Sequence, residues 1–326
     1  GDTRKAQQIF EKVIKELPPI KPEIDKVSEA FVSIGKLDFA ISTLIKGRSI
    51  LRGEYGYGYE LADLYSKQGK FGQVLEQYFA ILEFNPREIK NIQPKLLDEL
   101  ADDTNGEKND FFQQEVIDKI QTSPGVDVHV ELLIWHYMQK KEFSNAFFQA
   151  KALDKRNRED GARIIDISQT ATTNGDYDLA VKGYKYVIRK GEDNYFYYTA
   201  KMDLLDALDR KVTESEDYTS ADLEELEQLY IKDLEELGRN VNSLPLLRGL
   251  AKLYVFYMDR VSDGIDLLYE AKDVGGITRL DEAKVKVELA DALLFSGEIW
   301  EATLLYSQAE KSYKNDELGR MAKLKN

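Results

Sequence analysis

Asn174-Gly175-Asp176-Tyr177-Asp178-Leu179-Ala180-Val181-Lys182-Gly183-Tyr184-Lys185-Tyr186-Val187 is the stretch whose reading decides the fold. It reads as a tight turn followed by an amphipathic helix. Gly175 lacks a Cβ and can enter left-handed φ/ψ space at the turn. Ala180, Tyr184 and Val187 then fall at i, i+4 and i+7, the apolar stripe of one helix face. One such helix has no core of its own, and versions of the same stretch recur along the chain.

The recurrence has a fixed period. Gly1, Gly35 and Gly69 follow one another at 34 residues, and Ala6, Ala40 and Val74 keep that spacing in the helices that follow. Phe10, Leu44 and Tyr78 keep it too, as do the pairs Ala146 and Ala180, and Leu153 and Val187. Seven prolines and almost no valine- or threonine-rich alternation leave little room for a sheet, and the chain reads as all-α.

In motif as well as period the chain resembles the tetratricopeptide repeat family, whose repeats are pairs of antiparallel helices. The family slots after the first are filled in order by Leu61-Ala62, Tyr65, Gly69, Val74, Tyr78, Ile81 and Pro86. Further copies are Leu289-Ala290, Leu293, Gly297, Ala302, Tyr306, Ala309 and Ile164, Ile167-Ser168, Ala171, Gly175, Ala180, Tyr184, Val187. Gly58 and Lys286 stand where the leading large apolar residue belongs. The resemblance implies a right-handed α-α superhelix, a solenoid of antiparallel hairpins over 1–326. Its parts would be a half repeat at 1–18, two regular repeats at 19–86, an irregular repeat at 87–124 and two regular repeats at 125–194. A long-helix repeat at 195–242, a divergent one at 243–276, a regular one at 277–315 and the start of another at 316–326 complete the array. Neither end carries a polar cap, so the chain is expected to be a fragment of a longer protein.

Composition narrows the function. Of 326 residues 43% are hydrophobic and 32% charged, which suits a folded chain with a wet outer face. Acidic residues outnumber basic ones, 59 to 45, so a nucleic-acid backbone is not the expected partner. No apolar run approaches the roughly 20 residues of a membrane span. With no cysteine there is no disulfide or thiolate chemistry. No bound cofactor is expected. A soluble chain is expected, with the bacterial periplasm and the cytoplasm both open as compartments.

Motifs for chemistry are weak. His129 and His136 are seven apart on one predicted helix, whereas a metal site wants imidazoles one turn apart with a convergent third ligand. They read as surface or inter-helix side chains. The loop Asp102-Asp103-Thr104-Asn105-Gly106-Glu107 has Ala101 and Phe112 where a calcium loop needs carboxylates, and reads as a solvated turn. No Ser-His-Asp order or Gly-rich phosphate loop stands out, so no catalytic or metal residue is assigned.

What remains is surface. The resemblance implies that the first helix of each repeat lines a concave groove that holds a protein or peptide segment. Carried onto this sequence, it exposes Tyr59, Asp63 and Lys67, then Glu131, Trp135, Met138 and Gln139, and then Ile165, Gln169 and Thr173. The run Tyr195-Phe196-Tyr197-Tyr198 sweeps about 300° of a helix, so at least one ring, with Phe196 a candidate, leaves the core stripe or covers the loop after Lys211. Aligned positions Asp25, Glu29 and Asp63 are acidic and do not match the carboxylate clamp of some family members, which makes a basic or apolar segment the expected ligand. A scaffold of this kind is not an enzyme. The alternatives are a glycan-binding surface protein on the same scaffold, and a regulatory or sensor array attached to an output domain.

Overall fold

A computed structural model describes residues 2–51, 53, 56–215, 217–314 and 316–326. Gly1, placed at a turn by its spacing, and Glu216 of the polar loop lie outside the described residues. The described residues form eighteen α-helices and no strand, an all-α helical-repeat fold. They fall into two compact units, residues 1–157 and 158–326.

The first unit holds α1 (Asp2–Lys15), α2 (Lys21–Ser33), α3 (Leu37–Ile50), α4 (Gly58–Lys67), α5 (Phe71–Phe84), α6 (Ile89–Ala101), α7 (Glu107–Thr122), α8 (Asp127–Gln139) and α9 (Phe143–Asn157). The pairs α2/α3, α4/α5 and α8/α9 are hairpins packed along their length. Each closes with the same turn. The amide beyond the turn residue donates to the carbonyl five residues back, Lys36 to Phe31 at 2.8 Å and Glu142 to Tyr137 at 2.8 Å, which satisfies a carbonyl left open by the ending helix. The bond needs a left-handed residue before it. Gly35 and Gly69 supply it at φ 70° and 69°, and Lys141 supplies it at φ 57° without being glycine.

Small residues set the helix crossings. Ala40, Val74 and Ala146 are fully buried where the second helix meets the first. Gly58, the misfit of the sequence pattern, has a packing reason, since a Cβ there would lie 2.7 Å from Ile81 Cγ1. The exception is α7, whose buried residue one turn in is Phe112, and the Cα traces of α6 and α7 do not close up as those of the regular hairpins do. Ile92, Leu96, Phe112 and Val116, all fully buried, fill the wider gap.

The second unit holds α10 (Ala162–Thr173), α11 (Tyr177–Ile188), α12 (Tyr197–Glu214), α13 (Ser220–Leu237), α14 (Leu244–Phe256), α15 (Val261–Asp273), α16 (Arg279–Ser296), α17 (Ile299–Ser312) and α18 (Glu317–Lys325). Every consecutive pair packs together. Asp176 and Glu298 amides make the turn bond to Ala171 and Leu293 beside Gly175 and Gly297. The α14–α15 turn has no glycine and puts Asp259 at φ 53° instead.

One expectation fails here. Val212-Thr213-Glu214 does not open a polar loop but continues α12, because Val212 is buried and Lys211 donates to Asp178 (2.7 Å) and Asp222 (2.9 Å). A long helix end that buries a lysine and satisfies it twice is held in place. Thr219 then caps α13, accepting from the Asp222 amide while the Asp222 carboxylate accepts from the Thr219 amide.

Candidate functional site

Among the described residues, two pockets open between first helices and another where α7 joins two first helices. In the first unit, α2 and α4 enclose about 440 Å³ whose charged walls are Asp25, Glu29, Glu60 and Asp63 against Lys21 and Lys67. Lys21 Nζ donates to Asp25 at 2.8 Å, and Lys95 comes within 3.6 Å of Asp63. A row of carboxylates between two helices raises the local concentration of cations and cationic side chains.

A second pocket, about 340 Å³, lies between α6, α7 and α8, where the wide α6/α7 pair leaves room. Trp135 and Gln139 line it from α8 and Asn109 and Asp110 from α7. Trp135 is half-buried, its ring edge-on to Phe112 at 6.4 Å. Glu131 and Met138 are also half-buried, and Gln139 is exposed.

In the second unit, α14, α16 and α18 enclose about 430 Å³ with an apolar floor of Val255, Val287, Leu318 and Met321. Lys252 and Lys284 stand at its wall, and Arg248 is held in a two-bond pair with Glu288, Nε to Oε2 at 2.7 Å. At the mouth Phe256 and Phe295 meet edge-to-face at 5.6 Å while remaining 44% and 60% exposed. Phe295 sits two residues before its turn residue Gly297, where Ser33, Lys67, Gln139 and Thr173 stand in other hairpins, and Phe256 sits three before Asp259. Comparing equivalent positions between repeats would have found these rings; reading each repeat for its packing residues does not.

The expected site residues divide. Asp63 and Trp135 line pockets. Tyr59 is half-buried, its hydroxyl donating to Glu88 Oε2 at 2.6 Å, and burial with that carboxylate pushes its phenol up. It ties α4 to the turn before α6. Gln169 is exposed and donates to Asp203 at 2.8 Å, and the Thr173 hydroxyl returns to the Gln169 carbonyl at 2.9 Å. Ile165 is not exposed as expected but buried, on a helix that meets α12 as well as α11. Of the aromatic run, Tyr195 and Tyr198 are exposed, Phe196 is half-buried edge-on to Tyr195, and Tyr197 is in the core. The run cannot cover the loop after Lys211. It sits at the start of α12 and that loop follows the end, on the order of 25 Å away at the helical rise.

Of the two expected placements, surface or inter-helix, the histidines take the second, both buried between helices. His129 lies edge-on to Phe79 at 5.7 Å and 3.7 Å from Glu83, and His136 edge-on to Phe112 at 4.9 Å. Desolvation, helped by Lys140, brings His136 down to about 4, and desolvation lowers His129 as well. The unfolded chain, titrating near 6.5, therefore takes up protons that the folded chain refuses. Stability conferred by the neutral ring is complete above about 6.5 and is lost as pH falls towards 4. Between pH 7 and 5 the first unit is expected to lose about 2 kcal/mol through His136. Urea unfolding of His136→Phe at the two pH values checks this, and an undiminished pH dependence would exclude the assignment.

Among the described residues no group of three or more His, Asp or Glu side chains could hold a metal ion, and no helix is long and apolar enough to cross a membrane. No protein-family model and no curated protein matches the chain. Among solved structures it is similar to a tetratricopeptide repeat protein from Parabacteroides merdae, at 16% identity over 92% of this chain and 96% of that one, TM-score 0.35. It is similar also to a thermophilic tetratricopeptide repeat protein of Thermus thermophilus, at 18% identity over 58% and 93%, TM-score 0.38. A third is NprR in complex with its cognate peptide NprX, at 12% identity over 77% and 80%, TM-score 0.36. These are likenesses of helical-repeat architecture and say nothing of a partner.

Proposed function

We propose that the chain is a non-enzymatic scaffold that holds segments of partner proteins against its first helices. The observation that carries the reading is the acidic pocket between α2 and α4, where Asp25, Glu29, Glu60 and Asp63 face a cleft large enough for side chains of an extended segment. Such a wall favours lysine- and arginine-bearing segments through steering and charge-assisted hydrogen bonds. The apolar pocket lined by Val255, Phe256 and Met321, with Phe295 packed on Phe256, suits a bulky apolar side chain. Within either unit, a preformed pocket lets a segment make several weak contacts for a single loss of entropy.

Photo-crosslinking from position 63 in cells, compared with position 144 on the opposite helix of another hairpin, tests the proposal. Crosslinks from 63 to basic peptide segments are expected, and Asp25→Lys with Asp63→Lys should weaken capture at least about tenfold, more so at low salt. Crosslinks at both positions alike, or hits on a glycan array with no protein captured, would overturn it.

A further inference from the structure

The second helix of each regular hairpin shows two outward positions, three and seven residues past the turn residue. They hold Asp38 and Ser42 in α3, Asp178 and Lys182 in α11, Ser262 and Asp266 in α15, all exposed. In α5 they hold Gly72, half-buried, and Glu76, exposed, and the large apolar exceptions are Phe148 of α9 and the α17 pair. In α17 the same positions hold Trp300, 89% exposed, and Leu304, 59% exposed, one helical turn apart on one face. Ile299 beside them is equally open. The fold asks for nothing apolar there, since α3, α5, α11 and α15 hold Asp, Ser, Gly, Glu and Lys at the equivalent positions. An exposed Trp-Leu pair at such a site is therefore a feature of this helix.

Carboxylates outnumber cations around it, Lys272 standing 5.0 Å over the Tyr269 ring of α15. Glu298 stands in the turn and Glu301 on the first turn of α17, and Tyr269 of α15 donates its hydroxyl to Glu301 at 3.3 Å. That contact brings the outward face of α15 alongside, with Asp266 at the register of Leu304. We propose that the outer face of α17 is a second docking surface, distinct from the first-helix pockets, for a partner segment with bulky apolar residues flanked by lysines or arginines. Trp300 and Leu304 are its anchors, and Glu298, Glu301 and Asp266 face the partner's cations. Like charge around the anchors disfavours both a second copy of this acidic chain and an anionic lipid surface.

The test uses the full chain carrying Trp135→Phe, which leaves Trp300 as its sole tryptophan. Titration with a short amphipathic helical peptide of leucine and lysine is expected to shift Trp300 emission to the blue. Leu304→Ser should weaken that binding about tenfold, whereas Asp25→Lys with Asp63→Lys should leave the shift intact, which separates this surface from the acidic pocket. No shift, or an equal shift with a leucine–glutamate peptide, would overturn the proposal. So would a Trp300-dependent dimer in sedimentation without peptide, or a shift elicited by anionic vesicles and not by the peptide.

Discussion

Valine in place of Gly264 is expected to destabilise the second unit by about 3 kcal/mol, enough to open the α14–α15 hairpin well before the rest. Gly264 is buried where α15 crosses α14. A Cβ there would stand 2.4 Å from Val255 Cγ2 and 2.8 Å from the Ala251 carbonyl oxygen. The valine can rotate but the carbonyl belongs to the α14 backbone, so the helices must part and lose contact on both sides. Val255→Ala in the same chain should restore only a fraction. Gly72→Ala is the contrast. Its Cβ would sit at an ordinary 3.5 Å from Phe111, so little change is expected. Urea unfolding of the three variants decides the matter, and a Gly264→Val chain within about 1 kcal/mol of wild type would refute the close-crossing argument.

Phe112→Ala should cost the first unit about 4 kcal/mol. The ring is fully buried, holds α6 and α7 apart and presents itself to Trp135 and His136 together. Removing it leaves a void next to a pocket that already exists, so collapse cannot recover the lost contacts. Trp135 emission should move to the red in the same variant as its wall is lost, while Phe112→Leu should cost far less. Denaturation followed at Trp135 with Trp300→Phe reads both. A stable Phe112→Ala chain with unchanged emission would show that the α6/α7 gap is filled by something else.

The helices were legible because their causes are local. A residue able to take positive φ, followed by an apolar residue every turn, is written in the stretch from Asn174 to Val187, and the structure places Gly175 at φ 81° with Ala180, Tyr184 and Val187 buried. Where the turn lacks glycine, Lys141 and Asp259 take the same conformation, because the carbonyl-satisfying turn bond and the packing around it outweigh the strain of a side chain. The candidate site was legible only in part. The family resemblance implied a groove face holding Asp63 and Trp135, but it implied the same of Tyr59 and Ile165.

By itself the sequence determined the all-α repeat, since period, turn residues and the small residues at crossings are properties of single helices and pairs adjacent in the chain. Only the tertiary structure decided which outward positions remain open. Ile165 is buried on a helix that also meets α12, Tyr59 is bonded to Glu88, His136 is sealed against Phe112, and Trp300 stands in solvent. The physical reason is that burial depends on the neighbouring helix, whose approach is set by the bulk of residues on the other side of the contact, the Phe112 ring holding α6 and α7 apart and the bare Gly264 letting α15 close on α14.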